Sequence, residues 1–130
     1  MTPLRVAVAG CGRIASSQHL PALRAAAEAG LAELVGVCDV DPARAQAAAL
    51  PYGVPAFASL DELLERTRPQ VVTVATLPSS HRDLTLQALA AGCHVLCEKP
   101  VAMNLAEAEE MVAAAERTGR LLSICFEYRY

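Results

Sequence analysis

The sequence predicts a single α/β domain built on a doubly wound parallel sheet. Short, nearly continuous apolar runs rich in Val, Leu and Ile recur along the chain, as is typical of strands buried on both faces. Helical segments separate these runs, and strictly alternating strands and helices favour right-handed crossovers. At 130 residues the chain is long enough for one core and short for two.

Five apolar runs are predicted to be strands: Leu4 to Ala9, Leu34 to Cys38, Val71 to Ala75, His94 to Cys97 and Leu121 to Phe126. Residues 51–58 contain two prolines and a glycine. We therefore expect a loop there, with at most a short strand at Ala56-Phe57.

Helix ends are marked by residues with known capping preferences. Asp41 is expected to cap a helix that starts at Pro42. Pro21 is expected to divide the helix after Gly12 into a short piece and a second helix. The other signals are pairs with capping-box spacing and glycines at C-terminal positions: Ser59 with Glu62, Asn104 with Glu107, and Gly30, Gly92 and Gly119.

The last predicted helix has an apolar stripe and a charged side. The stripe, expected to face the core, consists of Leu105, Ala108, Val112 and Ala115. The side expected to face solvent carries Glu109, Glu110, Glu116 and Arg117.

Composition excludes several classes of function. The net charge of -3 gives no electrostatic reason to expect a nucleic acid or an anionic membrane as partner. No stretch approaches the roughly 18 apolar residues of a membrane span, and the short apolar run at the N-terminus does not fit a secretory leader. Five cysteines without framework spacing fit a reducing compartment. We therefore expect a soluble, cytoplasmic protein.

A glycine motif follows the first predicted strand and opens the first helix. In the run Gly10 to Ala15, Gly10 permits a tight turn, Gly12 lets the backbone approach a pyrophosphate, and Ala15 keeps helix and strand close. The helix N-terminus offers free N–H groups to phosphates. A plain turn is the alternative, but this context favours a Rossmann-type dinucleotide-binding domain over residues 1–130.

Asp39 ends the second predicted strand, where a carboxylate can accept hydrogen bonds from the adenosine ribose. It would repel a 2′-phosphate, which favours NAD over NADP. Alternatively, Asp39 only begins the turn before the Asp41-Pro42 cap. Arg44 is a weak contrary signal because it could reach a 2′-phosphate.

A second motif, Cys97-Glu98-Lys99-Pro100, lies at the carboxyl end of a predicted strand, where open α/β sheets bind ligands. Lys99 is the only lysine of the chain. It could donate a hydrogen bond to a substrate oxygen or take part in proton transfer. A surface Glu-Lys pair of little energetic consequence is an equally good interpretation of these residues alone.

Other polar residues are weaker candidates. Cys93 and Cys97 would lie about 13 Å apart along a strand at roughly 3.3 Å per residue, so we expect no metal site there. A helix N-terminus could lower the thiol pKa of Cys11 and make it sensitive to oxidation, or Cys11 simply fits the loop. His81 could approach the substrate side of the cofactor or help to start a helix, and His19 is expected to pack locally.

The motifs together resemble the Gfo/Idh/MocA family of NAD(P)-dependent oxidoreductases, which act on sugars, inositols and related polyols. The resemblance runs from Arg5 to Tyr130. It rests on Ala-Gly-Cys-Gly-Arg-Ile-Ala, on Val-Val-Thr-Val-Ala-Thr ending at Thr76, on His81, and on Ala-Gly-Cys-His-Val-Leu-Cys-Glu-Lys-Pro ending at Pro100.

The resemblance implies a role for each matching residue. Lys99 would bond the reacting hydroxyl beside the nicotinamide, and Pro100 would fix that turn through an X-Pro bond, which can be cis. The residues implied to bind the cofactor are Gly10, Gly12, Arg13 and Ile14 at the pyrophosphate, Asp39 at the adenosine ribose, and Thr76 and Glu98 along the molecule.

The sequence departs from the family pattern in two places. Leu77 stands where members often have the proline of Thr-Pro, which leaves the path of that loop open. Members also continue into a second α/β domain that supplies most of the sugar site and usually a catalytic His. The resemblance therefore implies that residues 1–130 are a truncated, catalytically incomplete part of an NAD-dependent dehydrogenase.

Two other functions remain open at this stage. One is a stand-alone NAD-binding module that senses redox state or joins a partner without turnover. The other is a chain whose pocket has lost its ligand. Without a second domain, exposed apolar surface would favour association, so we expect a homo-oligomer.

Overall fold

The computed structural model describes residues 2–125, and within this range six parallel strands form one sheet in the order β3-β2-β1-β4-β5-β6. The strands are β1 (Leu4–Ala9), β2 (Ala32–Cys38), β3 (Ala56–Phe57), β4 (Val71–Val74), β5 (His94–Glu98) and β6 (Leu122–Cys125). This is the strand order of a Rossmann domain, so the predicted doubly wound sheet is confirmed. The predicted end of the last strand, Phe126, lies outside the described residues.

Five α-helices connect the strands: α1 (Leu20–Glu28), α2 (Pro42–Ala49), α3 (Leu60–Thr67), α4 (His81–Ala90) and α5 (Leu105–Thr118). A π-helical turn, Ala15–His19, precedes α1, and Pro21 occupies the first turn of that helix. The helix does not break at this junction, because His19 and Leu20 both have helical backbone angles and the Leu20 N–H donates to the Ala15 carbonyl five residues earlier. The predicted short first piece and the start of a second helix near Pro21 are therefore present, but the division is a change from π-helical to α-helical hydrogen bonding rather than a break.

Helices cover both faces of the sheet. One buried cluster joins Val8 and Val37 to side chains of α1 and α2. The other joins Ala7, Ala9 and Val72 to side chains of α3, α4 and α5. Successive residues of β1 thus point into opposite cores, which explains why its sequence is apolar throughout rather than alternating.

The predicted caps are largely confirmed. The Asp41 carboxylate accepts hydrogen bonds from the backbone N–H groups of Ala43 and Arg44 at 3.0 and 3.4 Å. Ser59 and Asn104 accept in the same way from the third residue after each. Gly30, Gly92 and Gly119 all have positive φ at or just after helix C-termini, as expected.

The prediction for α5 is wrong in part. Leu105 and Val112, assigned to the core side, are 73% and 50% exposed. Ala115 of the predicted stripe is buried as expected, but the other buried side chains are Met111 and Ala114, which were not assigned to it. An alanine-rich helix offers two overlapping apolar strips, and only the packing against the sheet selects between them.

The order of the strands determines where a ligand can bind. Strands β1 and β4 are neighbours, and their connections lead to opposite sides of the sheet. A crevice opens beyond the carboxyl ends of the strands at such a switch point. Within residues 2–125, no helix is long and apolar enough to cross a membrane.

Candidate cofactor-binding site

The glycine loop is held between two strands. The N–H of Gly10 donates to the carbonyl oxygen of Cys38 at 2.8 Å, which ties the loop to β2. Gly10 has φ +99°, and a Cβ at this position would lie 2.7 Å from the backbone carbon and oxygen of Ala75, just after β4. Both the backbone angle and the close approach therefore require glycine here.

Gly12 is under a different constraint. A Cβ built on Gly12 would have no heavy atom of the described chain within 4 Å, so the protein itself leaves that space open. The residue stands where the chain enters its first helical turn, with the Ser16 N–H donating to the Gly12 carbonyl at 3.1 Å. Gly12 thus leaves space at a helix start, the place where a phosphate group can approach the backbone closely.

Asp39 connects the end of β2 to the glycine loop. One carboxylate oxygen accepts from the Cys11 N–H at 2.8 Å, and the other accepts from the Asp41 N–H at 2.8 Å. The side chain therefore takes part in the turn before α2 and also faces the cleft. The two interpretations of Asp39 are compatible in this geometry.

The cleft at the switch point has a volume of about 530 Å³. Six of the predicted cofactor residues line it: Gly10, Gly12, Arg13, Ile14, Asp39 and Thr76. The sequence did not indicate the apolar wall of the cleft, which is formed by Val40, Leu60 and Leu77. In the structure Val40 and Leu77 are 93% and 75% exposed. Large exposed apolar side chains beside polar ones are typical of a binding cleft.

The loop after β4 is short and internally braced. The hydroxyl oxygens of Thr76 and Ser80 lie 2.6 Å apart, and the Ser80 hydroxyl donates to the Leu77 carbonyl at 2.8 Å. Pro78 starts a single 3-10 turn, Pro78–Ser80, that leads into α4. Leu77 lies between the end of β4 and this turn, in neither a strand nor a helix, and its side chain faces the cleft.

Glu98 lies apart from this cleft lining. Its side chain is 7% exposed, and one oxygen lies 2.7 Å from Nε2 of His19. The other oxygen accepts from the Lys99 N–H at 3.3 Å. His19 does not pack locally as predicted, because its partner is 79 residues away in the sequence.

Lys99 is exposed at the carboxyl end of β5. Within the described range its ammonium group has no hydrogen-bond or ion-pair partner. The surface Glu-Lys pair considered above is therefore not formed, since Glu98 turns inward to His19. The peptide bond between Lys99 and Pro100 is cis.

His81 is buried in the structure rather than facing the cleft. Its side chain has no exposed surface. Nδ1 lies 2.8 Å from the Pro100 carbonyl oxygen and Nε2 lies 2.9 Å from the Thr76 carbonyl oxygen. The ring therefore links the loop after β4 to the turn after β5.

Three cysteine thiols, two of them near the glycine loop and one in β5, are buried in surroundings that favour the protonated form. Burial, and secondarily the Asp39 carboxylate, raises the pKa of Cys11 to about 12. Burial also raises the pKa of Cys38 to about 12 and that of Cys97 to about 11. The possibility of a lowered Cys11 pKa is wrong, because the thiol points inward, where it donates to the Cys38 carbonyl at 3.4 Å.

The region of Cys93, His94 and Cys97 has no arrangement suited to a metal ion. Cys93 donates to the Pro69 carbonyl at 3.2 Å, and Nδ1 of His94 accepts from the Leu121 N–H at 3.0 Å. Between residues 2 and 125, no three side chains of the ligating types come together.

Comparison with known proteins gives a consistent result. The model of the GFO_IDH_MocA family, described as an oxidoreductase family with an NAD-binding Rossmann fold, matches residues 4–126. D-glucoside 3-dehydrogenase from Escherichia coli is 38% identical over 130 residues, which cover 99% of this chain and 36% of that protein. Inositol 2-dehydrogenase from Arthrobacter is 41% identical over 119 residues, which cover 89% of this chain and 34% of that protein.

Solved structures agree in fold. The WlbA dehydrogenase from Bordetella pertussis, in complex with NADH and UDP-GlcNAcA, superposes with a TM-score of 0.89 and 32% identity, covering 95% of this chain and 37% of that one. KijD10, a 3-ketoreductase from Actinomadura kijaniata in complex with NADP, superposes with a TM-score of 0.86 and 34% identity, covering 95% of this chain and 37% of that one. The chain spans about a third of the length of these relatives.

Proposed function

The chain belongs to the Gfo/Idh/MocA oxidoreductase family with an NAD-binding Rossmann fold, and from this we propose that it is the cofactor-binding part of a dehydrogenase acting on a sugar, inositol or related polyol. The observation that carries the proposal is the cleft at the β1–β4 switch point. Its lining combines a glycine loop, a helix start and a carboxylate at the end of β2.

The residues present fit a dinucleotide. The open space over Gly12 accommodates a pyrophosphate that no Cβ would obstruct, and the neighbouring N–H groups of Arg13 and Ile14 belong to the helix start. Asp39 would accept from the ribose hydroxyls with lone pairs that its two backbone donors leave free. Thr76 would border the cofactor on the β4 side.

We propose NAD rather than NADP as the cofactor. The Asp39 carboxylate faces the cleft at the end of β2, where a 2′-phosphate would bring a second negative charge close to it. Arg44 also lines the cleft and is the group that would oppose this preference. Relatives of this chain include one solved with NADH and one solved with NADP.

Lys99 is the proposed catalytic residue. When bound, the nicotinamide supplies a carbon that accepts or donates a hydride. The Lys99 ammonium is exposed and has no partner among residues 2–125. It would donate a hydrogen bond to the substrate hydroxyl oxygen and so stabilise the negative charge that develops there as the C–H bond breaks, while the hydroxyl proton would pass to the acid-base group of the proposed further domain. Glu98, bonded to His19 and to the Lys99 N–H, would support the turn and border the cofactor.

The rest of the active site is proposed to lie outside this chain. Relatives of the same family are about three times as long. We propose that residues 1–130 form the dinucleotide-binding domain, and that a further domain supplies the substrate walls and the second acid-base group. We also propose that the protein is cytoplasmic and that it forms a homo-oligomer. Exposed apolar side chains, which include Leu105, Val112 and Leu121, support the homo-oligomer.

Calorimetric titration of the purified chain with NADH and, separately, NADPH tests this proposal. We expect saturable NADH binding and much weaker NADPH binding. In Asp39→Asn, loss of the charge should weaken NADH binding by about tenfold and narrow the difference between the affinities for NADH and NADPH. Asp41→Asn is the matched control, because Asp41 caps α2 outside the cleft lining and should leave both affinities unchanged.

Three outcomes would contradict parts of the proposal. A folded chain that binds neither nucleotide would show that the glycine loop is structural. NADPH binding as tight as NADH binding, unaffected by Asp39→Asn, would remove the proposed role of Asp39. Tight NADH binding by a longer form of the protein without any turnover would favour a sensing module instead.

A further inference from the structure

Three histidines of this chain differ in what their ring nitrogens contact. Nδ1 of His94 accepts a hydrogen bond from a backbone N–H, so that nitrogen carries no proton. Nε2 of His19 faces a carboxylate oxygen and therefore donates. His81 is the unusual case, because both of its nitrogens face backbone carbonyl oxygens.

The chemistry of His81 follows from these two acceptors. A carbonyl oxygen can only accept, so each nitrogen must donate to make the bonds at 2.8 and 2.9 Å. A neutral imidazole has one N–H and one lone pair, and the lone pair would then face a carbonyl oxygen. Only the imidazolium form satisfies both contacts. Water cannot substitute, because the side chain is fully buried.

The two acceptors lie on different sides of the proposed site. Thr76 follows β4, lines the cleft, and its methyl carbon lies 2.9 Å from where a Gly10 Cβ would be. Pro100 follows Lys99 at the end of β5. The His81 ring is thus a direct bridge between the wall of the cofactor cleft and the turn that carries the proposed catalytic lysine.

We propose that His81 is a positioning residue: as the imidazolium, it binds the Thr76 and Pro100 carbonyls together and so fixes Lys99 relative to the cofactor cleft. The proposal rests on the proposed function for the roles of Lys99 and the cleft. The bridge itself rests on the burial and the two distances alone. Loss of one proton from the ring breaks one of the two bonds and releases one side of the bridge.

Several ionisable groups lie close to His81 along the chain and close to the turn that it contacts. Arg82 and Asp83 follow His81 on α4, and Glu98 and Lys99 precede Pro100 on the β5 side, with the Cys97 thiol in β5 itself. The loop of residues 76–80 carries no ionisable group. Glu98 already pairs with His19, so a pH titration must separate the His81 signal from that pair.

Nitrogen NMR of the intact chain labelled at histidine tests the bridge directly. Between pH 5 and 8.5, we expect His81 to show protons on both ring nitrogens in its bridging form, with His94 as an internal reference for an unprotonated Nδ1. The carbonyl carbon signals of Thr76 or Pro100 should change with the same midpoint as the ring. A His81 ring with a single proton over the whole range, or carbonyl signals that ignore its titration, would overturn the proposal.

Two variants separate the two bonds. The amide nitrogen of His81→Asn occupies the place of Nδ1 and can still donate to Pro100, whereas that of His81→Gln occupies the place of Nε2 and can still donate to Thr76. We expect the Thr76 carbonyl signal to shift in His81→Asn and the Pro100 signal in His81→Gln. NADH affinity should fall about three- to tenfold in His81→Asn and change little in His81→Gln.

The readouts distinguish failure of this proposal from failure of the proposed function. If the chain binds no NADH, the ring nitrogen and carbonyl signals still decide whether the bridge exists. If both variants shift the same carbonyl or neither, the bridge is absent even where NADH binds normally. Should a variant fail to fold, the titration of the unmodified chain still gives the answer.

Discussion

At the scale of single residues, Gly10 and Gly12 belong to one motif but are glycines for different physical reasons. Gly10 has a positive φ, and a Cβ at this position would clash with the backbone of Ala75. A Cβ built on Gly12 would meet no heavy atom of the described chain within 4 Å. Gly10 is thus required by the fold itself, whereas Gly12 is required only if a ligand approaches its backbone.

This difference gives a paired prediction. Gly10→Ala should lower the free energy of unfolding by about 1–3 kcal/mol, because a Cβ would add backbone strain and a clash that backbone atoms cannot avoid. Gly12→Ala should leave stability within about 0.5 kcal/mol while weakening NADH binding at least tenfold. Urea unfolding and calorimetric titration measure the two effects.

The outcome that contradicts this assignment is equally specific. If Gly12→Ala binds NADH as the unmodified chain does, then the open space above Gly12 is not where the pyrophosphate lies. If Gly10→Ala is as stable as its parent, the loop can relax away from β4.

Lys99 gives a second prediction at the residue scale. In a form of the protein that carries the proposed substrate domain, Lys99→Ala should lower kcat by about 10²- to 10⁴-fold. NADH affinity should change by less than about twofold, since Lys99 is not part of the cleft lining. Steady-state kinetics and titration check these values, and unchanged turnover would remove Lys99 from the mechanism.

At the scale of elements, α5 shows that the sequence of an alanine-rich helix does not specify which side of the helix packs against the sheet. Met111 is fully buried and its neighbour Val112 is half exposed. The two lie about 100° apart around the helix axis, at 3.6 residues per turn. Their order in the sequence carries no information on which of them faces the sheet.

Truncating each of these neighbours tests the orientation. Met111→Ala should cost about 2–5 kcal/mol, because it leaves a cavity under α5. Val112→Ala should cost less than about 0.5 kcal/mol, because little area is buried and alanine is the better helix former. Equal losses of stability in the two variants, measured by urea unfolding, would show that the helix is rotated from the position described.

At the scale of the whole molecule, the buried thiols couple folding to pH. Cys11 and Cys38 each have a pKa raised from 9.0 to about 12 by burial, so the folded state keeps protons that the unfolded chain releases. The unfolded state therefore binds fewer protons above pH 9, and stability falls as the pH rises.

The prediction is a loss of stability confined to alkaline pH. The thiol contribution should be fully present below about pH 9 and should disappear progressively toward pH 12, as followed by the urea midpoint at pH 8, 9.5 and 11. The Cys38→Ala variant is the control, because it removes one of the two buried thiols and leaves every other ionisable group in place. Its decline with pH should be shallower, and an identical decline would contradict the assignment.

The sequence by itself determined the elements that short-range chemistry specifies. Buried parallel strands need unbroken apolar runs, so β1 and β4 could be located closely, and the short β3 was recognised directly after Pro55. Capping requires a side-chain oxygen at a fixed distance from a helix start, so Asp41 and Asn104 identified their helices. The glycine loop and Asp39 were predictable because their spacing follows from one strand, one turn and one helix.

Tertiary structure alone decided the contacts between distant segments. Nothing near His19 in the sequence indicates Glu98 as its partner, and nothing near His81 indicates Pro100. The inward thiol of Cys11 and the buried strip of α5 likewise depend on what packs against them. Local patterns record which groups need burial or a hydrogen bond, but the partner that satisfies each need is fixed only when the sheet brings the carboxyl ends of its strands together.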